Sequence, residues 1–266
     1  MVDSPSNFSA RTMGKENFYW TIRNLAKKCY RAFVPREGDK ERLAFYKQFI
    51  SRDDVVFDIG ANMGNRTRIF LRLGARVVAV EPQHKCCMSL RSEFGDRIHL
   101  FEGGAGKEVG VKKFYANEST VLSSFSEDWI ETMKESGRSN DAAWSAPVEL
   151  QMTTLDKLIE QHGVPKFIKI DVEGYELEVL SGLTQPAEMI SFEYTVPESL
   201  SNLIACLQRV SSIYADDVEF NYAVAENMSF ESDSWLSADD IIKIMSADDF
   251  AVKGSGDVYV RRRRTH

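Results

Sequence analysis

The stretch that most constrains this chain is Val55-Val56-Phe57-Asp58-Ile59-Gly60-Ala61-Asn62-Met63-Gly64-Asn65. Its first half is apolar and rich in β-branched and aromatic residues, the composition of a buried strand ending near Asp58. Gly60 and Gly64 then allow a tight turn with no Cβ to obstruct a close ligand. Over residues 65–73 the spacing of Ile69, Phe70 and Leu73 predicts a helix, and Gly74 is its stop. A strand, a glycine turn and a helix N-terminus together cradle an adenosine-containing ligand in open α/β folds. The plainer alternative is a β-turn-α corner in which Asp58 caps a helix.

Two details select among such ligands. A dinucleotide turn wants glycine at the third position of G-x-G-x-x-G, so that backbone can approach the phosphates. Here that position is Asn62. Asp58 at the strand end repels a pyrophosphate but suits a ligand carrying an ammonium group. The next predicted strand, Arg76-Val77-Val78-Ala79-Val80, ends in Glu81, 21 residues after Gly60, the place of an acid that binds both ribose hydroxyls. These features favour S-adenosylmethionine over NAD. The expected cofactor-binding set is Asp58, Gly60, Ala61, Asn62, Gly64, Glu81 and Pro82, joined by Gly104 and Ala105. The last two lie in Glu102-Gly103-Gly104-Ala105-Gly106, where small side chains leave room for a flat base; a flexible turn would read the same way.

Composition narrows the partners. The net charge of -7 argues against a nucleic-acid backbone, which needs a basic footprint. No apolar run reaches membrane-spanning length, and the first thirty residues lack the apolar core of a signal peptide. The expectation is a cytoplasmic protein whose partner is a small-molecule or glycan acceptor, with no nucleic acid and no membrane. Cys29, Cys86, Cys87 and Cys206 form no C-x-x-C pair and read as reduced thiols.

Along the chain, residues 1–10 read as disordered and 17–33 as an amphipathic helix. A breaker at 35–39 precedes a second helix over 41–50, which either caps a ligand site or covers a sheet face. Core strands are predicted at 97–101, 167–171, 189–193, 218–224 and 257–261, with a separate half-buried strand at 148–152. A short added β segment is expected within 111–125. Helices are predicted at 83–94, 154–161, 175–183, 200–213 and 238–245. Residues 127–143 read as a surface helix and loop, and a mobile lid is one reading of them. Seven core strands with intervening helices predict an α/β three-layer sandwich. The domain division is 1–50, an N-terminal helical extension, and 51–266, the catalytic domain. The terminal run Arg261 to Arg264 reads as a solvated tail.

A second constellation is Lys169-Ile170-Asp171-Val172-Glu173-Gly174-Tyr175-Glu176, with two acids at the carboxyl end of the fourth core strand. Open α/β sheets bind ligands at that edge. Asp171 is the first candidate base, followed by Glu173 and by Glu193, which ends the fifth core strand. Such a base would take the proton of an alcohol acceptor, while alignment in a dry pocket supplies most of the rate. The alternatives are that Glu173 caps the following helix and that Glu193 pairs with a lysine. Three carboxylates can also hold a divalent ion, although the spacing demands none, and no metal is expected.

The segments Val56 to Gly64, Thr154-Leu155-Asp156 and Ile168 to Leu180 together resemble the FkbM-type methyltransferases. The resemblance covers residues 50–195 and is most specific over 169–180. It implies a class I, Rossmann-like, S-adenosylmethionine-dependent fold with a seven-stranded mostly parallel sheet. It also implies O-methylation of a hydroxyl on a sugar, glycan or secondary metabolite. By position, Asp58, Gly60, Asn62 and Gly64 would line the methionine end of the cofactor and Glu81 would hold the ribose. Asp171 and Glu173 would stand at the active edge. Residues 1–50 and 126–147 have no counterpart and are the place for acceptor choice. The competing class is a methyltransferase-like fold that binds without turnover; intact Asp58, Glu81 and Asp171 speak for an enzyme. A base methyltransferase would want an Asn/Asp-Pro-Pro-aromatic loop where this chain has Asp171-Val172-Glu173-Gly174.

Overall fold

The computed structural model describes residues 36–117, 123–136 and 144–263. The expected helix over 17–33, Cys29, part of the stretch 111–125 expected to hold a β segment, and Arg264 lie outside those residues.

Alternating strands and helices fold as the apolar periodicity predicts. Strands β1 (Val55–Ile59), β2 (Arg76–Glu81), β3 (Ile98–Glu102), β7 (Phe167–Ile170), β8 (Met189–Thr195), β9 (Val218–Val224) and β10 (Ser255–Arg262) form one sheet. Its order is β3-β2-β1-β7-β8-β10-β9. The first five strands are parallel, and β10 runs antiparallel to both β8 and β9. β1 and β7 are buried at every position, because a parallel sheet is covered on both faces. The chain leaves β1 toward β2 and returns to β7 on its other side. The strand order therefore reverses between β1 and β7, which opens a crevice at their carboxyl ends.

Helices α1 (Asp39–Tyr46), α2 (Asn65–Arg72) and α3 (His84–Phe94) cover one face. Phe45, Tyr46, Phe70, Phe94 and Phe167 are buried in this layer, with edge-on ring contacts such as Tyr46 to Phe70 at 5.1 Å. The expectation of a helix over 41–50 is corrected at both ends. It begins at Asp39, whose buried carboxylate meets Arg72 at 3.0 Å and Arg68 at 3.7 Å, and it ends at Tyr46. It covers the sheet face, the plainer of its two sequence readings.

The other face carries α5 (Leu155–His162), α6 (Glu176–Ser181), α7 (Leu200–Ile213) and α8 (Ala238–Met245). The residues predicted as helix over 175–183 are helical only from Glu176 to Ser181. A second, three-stranded sheet lies beside the main one. It comprises β4 (Gly104–Ala105), β5 (Gly110–Phe114) and β6 (Val148–Thr153), in the order β4-β6-β5. The residues read as a loop at Gly104-Ala105 are thus a short strand, parallel to Met152 and Thr153. Helix α4 (Glu127–Glu135) begins at Ser126, whose hydroxyl accepts from the Trp129 N–H at 3.1 Å, and it buries Trp129, Ile130 and Met133. Among the described residues no helix is long and apolar enough to cross a membrane.

Candidate active site

At the β1–β7 crevice lies a cavity of about 190 Å³. Its walls come from the end of β2 (Glu81, Pro82), the turn after β1 (Gly60, Asn62) and the small residues Gly103, Gly104 and Ala105. Gly60 has φ +83°, and a Cβ there would drive into the carbonyl oxygen of Asp171. Only glycine lets the two turns meet this closely.

Glu81 stands in this wall, 2% exposed. One carboxylate oxygen accepts the Asn62 N–H at 2.7 Å, and the other accepts the Gln83 N–H at 2.8 Å. Burial pushes its pKa up to about 7 against the pull of those two backbone donors. Each oxygen keeps a lone pair for a further donor. A pinned carboxylate can accept from a ribose diol and the wall of small residues leaves room for a flat base, so the cavity fits an adenosyl cofactor.

The catalytic candidates converge. Asp171, Glu173 and Glu193 each offer a carboxylate oxygen, and these oxygens all lie within 4.8 Å of one another. The β-strand period explains part of this. Lys169 and Asp171 leave the end of β7 on one face, and Glu193 leaves β8 beside them. Glu173 sits in the left-handed region at φ +55°, with its carbonyl held by the Ser124 hydroxyl at 2.7 Å. Burial opposes ionisation of Asp171. The Lys169 ammonium at 2.7 Å and a hydrogen bond with Glu193 outweigh it, so the net shift is downward. Burial, then the charge of Asp171, push Glu173 and Glu193 well above the usual carboxylate range. A group of three hard oxygens at this spacing can share protons or hold a divalent cation.

The two plainer sequence readings of these acids do not hold. The residue that caps the turn is Glu176, whose Oε1 accepts the N–H groups of Val172 and Gly174, both at 3.2 Å, rather than Glu173. Glu193 hydrogen-bonds Asp171 rather than pairing with a lysine, and the lysine belongs to Asp171.

Of the expected cofactor residues, Gly60, Asn62, Glu81, Pro82, Gly104 and Ala105 line the cavity, whereas Asp58, Ala61 and Gly64 stand outside its lining. Asp58 is 1% exposed and accepts from the Thr67 hydroxyl of α2 at 2.5 Å. A Cβ on Gly64 would strike Phe94 and Leu90, so that glycine serves the α2–α3 packing. The sequence reading missed Phe125 and Tyr175, which line this cavity and also a neighbouring groove of about 670 Å³. It missed Glu226, on the loop after β9, for which no motif exists. It also gave Lys169 no role, although a lysine inside the apolar run Phe167-Ile168-Lys169-Ile170 is itself a signal of a buried pair. The buried thiols of Cys86 and Cys87 are raised to about 12 by burial and are inert.

The seven-stranded sheet, its antiparallel seventh strand and the cavity at the strand ends define a class I S-adenosylmethionine-dependent methyltransferase. The model of the methyltransferase FkbM domain matches residues 58–214. The chain belongs to the FkbM methyltransferase family. The hexuronic acid methyltransferase AglP of Haloferax volcanii is 26% identical over 195 residues, 72% of either chain. The 2-O-methyltransferase NoeI of Sinorhizobium fredii is 25% identical over 169 residues, 58% of this chain and 68% of that one. Among solved structures, an O-methyltransferase from Bacillus cereus in complex with SAH aligns with a TM-score of 0.43 at 13% identity, over 91% of this chain and 90% of that one.

Proposed function

We propose that this methyltransferase acts on a hydroxyl group of a sugar or glycan, with the Asp171–Glu173–Glu193 cluster receiving the hydroxyl proton. The observation that carries the reading is the convergence of these three carboxylates on the cofactor cavity. The relatives named for hexuronic acid methylation and for 2-O-methylation support a sugar acceptor.

S-adenosylmethionine supplies a methyl group on a sulfonium that departs as a neutral thioether. The residues of this chain do the rest. Glu81 orients the ribose through its fixed carboxylate. Gly103, Gly104 and Ala105 leave room for the base. The acceptor oxygen forms the new C–O bond as the C–S bond breaks, and its proton must leave because a neutral alcohol is a weak nucleophile. Asp171, kept ionised by Lys169, takes that proton, and the hydrogen bond to Glu193 spreads it across the pair. Phe125 and Tyr175 exclude water at the seam between cavity and groove, where the acceptor enters.

The test is Asp171→Asn. It keeps the shape and removes the base, so S-adenosylhomocysteine should bind with unchanged affinity while transfer drops by roughly 10²- to 10⁴-fold, the range of general base catalysis. Full activity in that variant would remove Asp171 as the base.

A further inference from the structure

We infer that Lys112, which lines the groove and is lodged against Tyr175, selects acceptors that carry an anionic group on the sugar. This rests on the reading of the groove as the acceptor site of a sugar methyltransferase.

The groove lies between the three-stranded sheet and α4, and holds about 670 Å³ against about 190 Å³ for the cavity beside it. Phe125 and Tyr175 border both spaces, so a ring lying on them reaches from the groove to the carboxylate cluster. Aromatic faces of this kind suit the apolar C–H face of a sugar.

Two lysines, Lys112 and Lys113, and four carboxylates, those of Glu127, Asp128, Glu149 and Glu178, line the groove. Lys113 stands directly opposite Glu149 in the antiparallel register, where opposite charges pair. The Tyr115 phenol donates to Glu127. Lys112 stands opposite Leu150, which offers no charge. Its ammonium donates to the Tyr175 hydroxyl at 2.6 Å and lies 4.5 Å from the centre of that ring. Among the described residues no carboxylate comes within ion-pair distance of it. An ammonium has three donors, and Tyr175 takes one. The other donors suit a carboxylate or a phosphate. Asp128 and Glu178, also on the groove wall, would repel an anion placed elsewhere and so fix its position at Lys112.

The experiment is calorimetry on the protein saturated with S-adenosylhomocysteine, using three probes: methyl glucoside as the neutral reference, methyl glucuronoside and glucose 6-phosphate. The expected result is that at least one anionic probe binds about tenfold or more tightly than methyl glucoside. The ranking of the two then distinguishes carboxylate from phosphate. Lys112→Met should abolish that preference and leave the affinity for S-adenosylhomocysteine unchanged. Lys157→Met, which removes an equal charge from the distant α5, should retain the preference. Equal binding of all three probes, or a preference that survives Lys112→Met, overturns the inference. Failure to bind S-adenosylhomocysteine at all would instead overturn the methyltransferase reading beneath it, and the inference with it.

Discussion

Lys169 donates to the carboxylate of Asp171 at 2.7 Å from two positions earlier in the chain. The period of a β-strand puts both side chains on one face, and the lysine is buried, 2% exposed. In register, Asp58 of β1 stands beside Lys169. One buried cation thus lies under the acids of the site. It keeps one member of the cluster ionised, and its own pKa is raised because the attraction of Asp171 and Asp257 overcomes the cost of burial.

Lys169→Met should therefore raise the pKa of Asp171. The limb of the pH–rate profile along which the base ionises then moves to higher pH, and transfer near neutral pH falls at least tenfold. Breaking the pair should also lower stability by about 2 kcal/mol, less than for a fully buried pair because water reaches the Asp171 carboxylate. A limb that stays in place, measured by initial rates across pH, contradicts this role.

If Glu81 holds the ribose, cofactor binding should depend on pH. Its carboxyl is protonated below about 7, and only the ionised form accepts from both ribose hydroxyls without losing its backbone donors. The affinity for S-adenosylhomocysteine should fall as pH drops through that value, and binding near it should release a proton. Calorimetry in buffers of different ionisation enthalpy measures that release directly. Affinity that stays flat from about pH 6 to about pH 8 would sink the assignment.

Asp58 and Glu81 should separate on mutation. Glu81→Ala removes a cavity wall and should weaken S-adenosylhomocysteine binding at least tenfold. Asp58→Ala removes a buried partner of Thr67 outside the cavity. It should lower stability by about 1–3 kcal/mol and act on the cofactor only through the position of the turn. Thermal melts run beside titrations distinguish the two; equal losses of affinity at equal stability would contradict the separation.

Gly174 has φ +82°, and a Cβ there would enter the Trp129 ring of α4. Gly174→Ala should displace α4 from the turn that carries Glu173. The expected outcome is a loss of roughly 2 kcal/mol and a raised KM for acceptor, with S-adenosylhomocysteine affinity retained. An unchanged KM would mean that α4 plays no part in forming the acceptor groove.

The chain disclosed its architecture because parallel strands need continuous apolar runs. Val55 to Ile59 and Phe167 to Ile170 carry that pattern, and their flanking glycines mark the turns. The place of Glu81 in the cavity wall was legible from its distance to Gly60. Asp58 was not, because a carboxylate at a strand end reads the same whether it faces a ligand or a helix. Its buried hydrogen bond with Thr67 goes with a place outside the cavity lining, and the sequence cannot rank such neighbours. Glu176 takes the capping role that was the alternative for Glu173, and Glu173 itself adopts a left-handed backbone before Gly174. The groove was invisible to motif reasoning. Lys112, Phe125 and Tyr175 come from a strand, a loop and a helix cap, and only the second sheet brings them together.

The most direct test of the central claim is transfer of a labelled methyl group from S-adenosylmethionine to a panel of methyl glucoside, methyl glucuronoside and methyl rhamnoside, followed by mild alkali. Transfer to a hydroxyl gives an ether, so the account predicts label that survives alkali and is lost in Asp171→Asn. A carboxylate acceptor needs no base and gives an ester. Label released as methanol, and undiminished in Asp171→Asn, would contradict the account.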